Sequence, residues 1–143
     1  MVKLIVGVKG TGKTKTLIDM ANDALQKSSG SVVCVEKGQK LKFDVKYQAR
    51  LIDSAEYGIN GADALYGFLC GICSADYDTT HVFIDSAFKI CADKNKTEEE
   101  NLEDFARFLE LTDKISSKNN FQCIITASVP PEILPEDIIK YTR

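Results

Sequence analysis

The 143-residue sequence lacks long apolar runs. No stretch reaches the 18 consecutive apolar residues that indicate a transmembrane helix. The first apolar run extends only from Leu4 to Val6, which is too short for a secretory signal. The five cysteines are odd in number and scattered, so without an export signal they suggest buried thiols in a reducing compartment. We therefore expect a cytoplasmic location and no membrane partner.

Arginine, histidine and paired cysteines are also scarce, which narrows the chemistry. Arg50 and Arg143 are interpreted as solvated charges rather than as catalytic arginine fingers. His81 is the single histidine and begins an apolar stretch, which is typical of a structural residue. The Cys70-Gly71-Ile72-Cys73 motif has no second cysteine pair at a zinc-binding spacing. These shortages argue against a zinc site.

The composition favours one globular domain over residues 1–143. Hydrophobic residues make up 44% of the chain, and a chain of this length can bury about 70% of its unfolded surface. A net charge of −3 disfavours a dedicated nucleic-acid binder. The basic segment 37–50 still leaves open contact with a nucleic acid or an acidic protein partner. It could also meet the acidic segment 93–113 of another copy in a homo-oligomer.

Apolar, β-rich segments alternate with segments of helical periodicity. The predicted strands cover 2–6, 32–36, 46–53, 81–85 and 121–126, and the predicted helices cover 13–27, 62–74, 98–117 and a short C-terminal segment. Strand 46–53 is expected at the periphery because Tyr47, Ala49 and Leu51 alternate onto one face. Thr97 and Glu100 form a capping-box pattern, and 89–97 is expected to be a solvated loop. The pattern predicts an α/β fold with a mostly parallel sheet of about five strands, whose carboxyl ends bind ligands.

One motif carries specific chemistry. Gly7-Val8-Lys9-Gly10-Thr11-Gly12-Lys13-Thr14 fits G-x-x-x-x-G-K-[ST], follows a predicted strand and opens a predicted helix. Such a loop cradles a polyphosphate with backbone N–H groups and a helix N-terminus. Lys13 then supplies a charge near the β- and γ-phosphates, and Thr14 supplies a ligand for Mg²⁺. The predicted phosphate-binding residues are Gly7, Lys9, Gly10, Thr11, Gly12, Lys13 and Thr14.

A second acidic element agrees with this motif. His81-Val82-Phe83-Ile84-Asp85 is an apolar strand that ends in a carboxylate. In phosphate-binding loop proteins such an aspartate completes the Mg²⁺ shell. Asp85 is therefore predicted to hold Mg²⁺ together with Thr14.

With these two motifs the chain resembles the P-loop NTPase superfamily over most of its length. The resemblance implies a three-layer αβα sandwich that binds a nucleoside triphosphate, with ATP the first candidate, and Mg²⁺. It is most similar to the additional-strand, RecA-like branch. In many such proteins a glutamate follows the strand-end aspartate and polarises the attacking water, but here Ser86 follows Asp85.

The resemblance offers other residues for catalysis. In the RecA-like branch the catalytic glutamate ends the strand after the P-loop helix, and Glu36 occupies that position. A polar sensor residue is expected at the end of strand 121–126, where Thr126 is the best candidate and Ser128 the next. Together with Lys13, these residues would support slow, Mg²⁺-dependent hydrolysis, as in an ATPase.

Two alternatives remain open. The chain could be a nucleotide-dependent switch or assembly protein without significant turnover. It could also be a phosphotransferase resembling thymidine kinases, although Asp85-Ser86-Ala87-Phe88 lacks the glutamate that serves as general base in that family. In every case specificity must come from loops 37–61 and 86–97 or from a partner.

Overall fold

The computed structural model, which describes residues 1–46 and 48–143, contains a five-stranded sheet. The strands are β1 (Val2–Val6), β2 (Ser31–Glu36), β3 (Arg50–Asp53), β4 (Thr79–Ile84) and β5 (Gln122–Ala127). They lie in the order β1-β5-β4-β2-β3, and every neighbouring pair is parallel. The predicted α/β class with a parallel sheet is confirmed.

Among the described residues, four helices lie in connections between strands, and a fifth follows β5. They are α1 (Lys13–Lys27), α2 (Ala62–Ala75), α3 (Ala87–Cys91), α4 (Glu98–Lys118) and α5 (Glu136–Ile139), with short 3₁₀ segments at Leu41–Phe43, Pro131–Ile133 and Lys140–Thr142. The predicted capping box opens α4, because the Thr97 hydroxyl accepts from the Glu100 N–H and the Glu100 carboxylate accepts from the Thr97 N–H. None of the helices in the described residues has the length and apolar content needed to cross a membrane.

Two apolar cores cover the two faces of the sheet. On one face, sheet residues such as Val35, Ile84 and Ile125 pack against α2, α3, α4 and α5. On the other face, Cys34, Phe83 and Ile124 pack against α1 and against the segment that follows β2. This arrangement is the predicted three-layer αβα sandwich, with α1 as the main helix of the thinner layer.

Strand alternation brings polar side chains together at the carboxyl end of the sheet. Glu36, Asp85 and Thr126 each lie two residues beyond a side chain of the α1-side core, so they face the same side as α1. The Asp85 N–H donates to the Val35 carbonyl at 2.9 Å, which extends the β4–β2 ladder by one residue. The start of α1 therefore lies beside the ends of β4 and β5.

Two element predictions were wrong in part. Strand 46–53 is shorter than predicted, since β3 covers only Arg50–Asp53 at the sheet edge, and Tyr47 lies outside the described residues. The apolar residues before β3 are buried because the segment wraps over the α1-side core, not because it alternates as a strand. The predicted loop 89–97 begins within α3, where Ile90 and Cys91 are buried.

Candidate functional site

The loop between β1 and α1 has a backbone that few residues other than glycine can adopt. Gly10 and Gly12 have φ values of 89° and 84°, in the left-handed region where a Cβ is strained. At Gly7 the constraint is space, because a Cβ there would lie 2.7 Å from the Thr11 hydroxyl oxygen. The shape of the loop thus requires glycine at Gly10 and Gly12, whereas a side chain at Gly7 would displace the Thr11 hydroxyl.

The first turn of α1 carries positive charge that no acidic residue of the turn offsets. It contains no acidic residue, although acidic side chains normally offset the positive N-terminal end of a helix dipole. The first turn of α4, by contrast, contains three glutamates. The α1 turn carries Lys13 and Lys15 instead, and no side chain caps its free N–H groups. The unbalanced positive potential suits a phosphate group.

A cavity of about 460 Å³ lies beside this turn. Its lining combines the loop, α1, the end of β4, the start of α3 and residues after β2 and β5. The charged side chains in this lining are Lys9, Lys13, Lys15, Lys40, Lys89 and Asp85. Five cations around a single carboxylate, counted over the described residues, make the cavity strongly electropositive. We call this cavity the lysine cleft.

Thr14 and Asp85 meet at the lysine cleft as the sequence predicts. The Thr14 Oγ1 lies 3.2 Å from both Asp85 carboxylate oxygens. Adjacent ligands of an octahedral Mg²⁺ with bonds of about 2.1 Å are about 3.0 Å apart, so this pair fits two neighbouring coordination positions. Mg²⁺ usually takes one or two protein oxygens and completes its shell with water and phosphate. The residues present therefore fit a Mg²⁺ ion that arrives with a polyphosphate.

Thr126 orients the Asp85 carboxylate from the neighbouring strand. Its buried hydroxyl donates to Asp85 Oδ1 at 2.7 Å and accepts from the Ser86 N–H at 2.8 Å. Ser86 has a left-handed backbone with φ of 54°, which is costly for a residue with a side chain and often marks a functional site. The predicted sensor thus contacts the predicted metal ligand, while Ser128 is exposed and lines the lysine cleft directly.

Glu36 lies outside the lysine cleft. Its buried carboxylate accepts from the Leu41 N–H at 2.7 Å and lines a separate cavity of about 140 Å³. Burial, together with a smaller effect of the Glu36 charge, raises the pKa of the Cys34 thiol to about 12. The structure therefore brings Lys13, Thr14, Asp85 and Thr126 together, but it directs Glu36 into the turn after β2.

Sequence reasoning missed two lysines of the lysine cleft. Lys40 follows β2 and Lys89 lies in α3, so both come from the β2–β4 side of the sheet, opposite the loop. A sequence signal existed for each, since Lys40 belongs to the basic segment and Lys89 lies four residues after Asp85. Neither signal could show that the side chains converge, because the strand order is needed for that step.

The remaining reactive side chains have structural surroundings. Four of the five cysteines are buried, and burial raises the pKa of Cys91 and Cys123 to about 12. These thiols are poor nucleophiles at neutral pH. The His81 ring stacks on Phe83 with centroids 6.0 Å apart, and its desolvation lowers its pKa. None of the described residues forms a cluster of three or more metal-binding side chains.

Comparison with known proteins adds no assignment. No protein-family model matches the chain, and no curated protein matches it. The geometry and chemistry of the lysine cleft are therefore the basis for a proposed function.

Proposed function

We propose that this protein binds a nucleoside triphosphate, ATP in the first instance, together with Mg²⁺ in the lysine cleft, and that it hydrolyses this nucleotide slowly. The observation that carries the proposal is the convergence of a glycine loop, an uncapped helix N-terminus, five lysines and the Thr14–Asp85 pair on one cavity. Each of these features favours a polyphosphate–metal ligand, and they come from separate parts of the chain.

Different residues of the chain would bind the phosphates and the Mg²⁺ ion. The loop N–H groups and the first turn of α1 hold the phosphates. The Lys13 ammonium donates to the Val8 carbonyl at 2.8 Å, and it would exchange that acceptor for a phosphate oxygen. Thr14 and Asp85 would hold Mg²⁺, and Thr126 keeps the Asp85 carboxylate in place. When bound, the metal neutralises charge on the β- and γ-phosphate oxygens.

The strand order supports the P-loop resemblance. The loop leaves β1 and Asp85 follows β4, and β5 lies between these two strands. One extra strand beside the loop strand is what the additional-strand, RecA-like branch implies. The same order places Thr126, at the end of the inserted strand, next to Asp85. Membership of that superfamily is part of the proposal.

We expect slow turnover because the lysine cleft has no carboxylate in the described residues, apart from the proposed metal ligand, that could polarise water. Among the described residues, Asp85 is the one carboxylate that lines the lysine cleft, and it is assigned to the metal. Glu36 would have to release the Leu41 N–H before it could polarise water. This geometry favours slow hydrolysis and also supports a second candidate, a nucleotide-dependent switch in which binding rather than turnover matters.

A thermal-shift panel tests the proposal. ATP, GTP and their diphosphates are compared with and without Mg²⁺, and a ligand at 100 times its Kd should stabilise the fold by about 2.7 kcal/mol, or several degrees. We expect the largest shift with a triphosphate and Mg²⁺. Asp85→Asn should remove the Mg²⁺-dependent part of the shift, while Asp137→Asn, which changes an exposed aspartate of α5, should not.

The panel also separates the two candidates. Phosphate release from ATP alone supports the hydrolase, whereas a shift without release supports the switch. A panel in which no nucleotide shifts the unfolding temperature of the folded protein contradicts both.

A further inference from the structure

The lysines of the lysine cleft come from two groups of elements. Lys9, Lys13 and Lys15 come from the loop and α1. Lys40 comes from the turn after β2, and Lys89 comes from α3. Because the order of the sheet is β1-β5-β4-β2-β3, this second group approaches from the β2–β4 side. The same cavity is therefore lined by lysines from the loop side and from the β2–β4 side of the sheet.

We infer that Lys40 and Lys89 form a second cationic clamp that recognises the terminal phosphate, so that the lysine cleft discriminates a nucleoside triphosphate from a diphosphate. The inference rests on the proposed function, because the loop must hold the nucleotide for the clamp to meet its end. It assigns triphosphate specificity to two residues outside the glycine motif.

The two side chains are available for this role. In the described part of the chain, neither Lys40 nor Lys89 forms an ion pair or donates a side-chain hydrogen bond, and both residues are exposed. Lys15, by contrast, pairs with Asp19 at 3.2 Å, and the Lys13 ammonium contacts the Val8 carbonyl. An ammonium group without a partner breaks no ion pair or hydrogen bond within the protein when it binds a phosphate.

The fold also fixes where each clamp residue starts. The next residue after Lys40 is Leu41, which is buried in the α1-side core and whose N–H is bound by Glu36. Lys89 lies in α3 between the partly buried Phe88 and the buried Ile90. Both residues thus line the cleft next to buried neighbours that anchor their backbones. Glu36 acts on the clamp as a positioning residue through Leu41.

No arginine in the described residues lines the lysine cleft. Arg107 pairs with Asp63 and Asp104, and Arg143 pairs with Glu136, each on the outer surface. Arg50 begins the edge strand β3 and does not line the lysine cleft. Lysines supplied within the same chain would therefore take the place that an arginine finger has in other phosphate-transfer sites.

Calorimetric titration with MgATP and MgADP tests the clamp. Lys40→Ala and Lys89→Ala should each weaken MgATP binding about tenfold, the effect expected when one charge-assisted contact is lost. MgADP affinity should change far less. The Lys→Arg variants should retain the preference for MgATP, because they keep the charge. Lys46→Ala and Lys94→Ala remove exposed lysines that do not line the cleft, and they should bind both nucleotides as the wild type does.

The outcomes separate the clamp from the site itself. Suppose that the wild type binds MgATP. If the clamp variants then lose MgATP and MgADP affinity equally, or lose neither, the clamp is overturned and the proposed function stands. Wild-type protein that binds neither MgATP nor MgGTP overturns both. Thermal unfolding without nucleotide verifies that each variant is folded.

Discussion

At the scale of single residues, the Thr14–Asp85–Thr126 cluster links three elements in a few hydrogen bonds. The Asp85 carboxylate accepts hydrogen bonds from the Thr126 hydroxyl at 2.7 Å and from the Thr14 hydroxyl at 3.2 Å. The carboxylate is buried, so its charge requires partners, and a divalent cation would satisfy it better than two neutral hydroxyls. The residues of the proposed Mg²⁺ site are thus held in place by hydrogen bonds to one another.

Glu36 offers a sharp test of two roles for one carboxylate. Glu36→Gln keeps an oxygen that can accept from the Leu41 N–H but removes the charge needed to polarise water. Glu36→Ala removes both. If Glu36 only positions the turn, phosphate release by Glu36→Gln should match the wild type, and Glu36→Ala should weaken MgATP binding because Lys40 loses its anchor.

The opposite pattern identifies a base. If Glu36→Gln abolishes phosphate release while MgATP binding is retained, Glu36 polarises the attacking water as the RecA-like resemblance implies. The positioning role would then be contradicted. Glu56→Gln, which changes an exposed glutamate lining the same small cavity, serves as the control.

At the scale of elements, the glycine loop and helix α2 provide matched glycines in different conformations. Gly12 has φ of 84°, whereas Gly71 lies within α2 with no atom near its missing Cβ. Gly12→Ala should destabilise the fold by about 1–2 kcal/mol because of its left-handed backbone. Gly71→Ala should stabilise it by about 0.5–1 kcal/mol because alanine favours the helix.

Urea unfolding measures both changes, and nucleotide titration separates their consequences. Gly12→Ala should also lose MgATP affinity, since the loop N–H groups change direction, while Gly71→Ala should bind normally. A Gly12→Ala protein as stable as the wild type would show that the loop does not require the left-handed conformation described here.

The elements also show how far sequence reasoning reaches. The strands β1, β2, β4 and β5 and the helices α1, α2 and α4 were predicted because burial on both sides or on one face leaves a clear apolar period. The start of β3 was predicted too early, because the alternation of Tyr47, Ala49 and Leu51 extended the predicted strand to 46–53, whereas β3 begins at Arg50 and the buried Ala49 lies before it. Helix α3 has only five residues, too few for a helical period to be recognised.

The site divides in the same way. Lys13, Thr14 and Asp85 were predicted because their signal is local, a short motif and a strand end. Lys40 and Lys89 were missed because their meeting depends on β2 lying next to β4, which a sequence pattern does not specify. Glu36 ends β2 as predicted, but its hydrogen bond to the Leu41 N–H is a tertiary detail without a sequence signature.

At the scale of the whole molecule, the strand order concentrates positive charge at the carboxyl end of the sheet. The chain carries a net charge of −3, yet the lysine cleft contains five lysines and one carboxylate in the described residues. The acidic residues lie elsewhere, with three glutamates in the first turn of α4. Five lysines that line one cavity would attract a polyanion to it despite the overall negative charge. A protein partner, a second copy or a nucleic acid that uses the other basic residues of 37–50 stays a prediction.

Direct titration of MgATP into wild-type protein and Lys13→Ala tests the central claim most directly. Lys13 is the cation of the glycine motif and is buried beside the loop. We expect saturable binding of one MgATP per chain and at least a tenfold loss in Lys13→Ala, with Lys118→Ala, which changes an exposed lysine at the end of α4, unchanged. Equal affinity of all three folded proteins for MgATP, or no binding by any of them, would contradict a nucleotide site at the glycine loop.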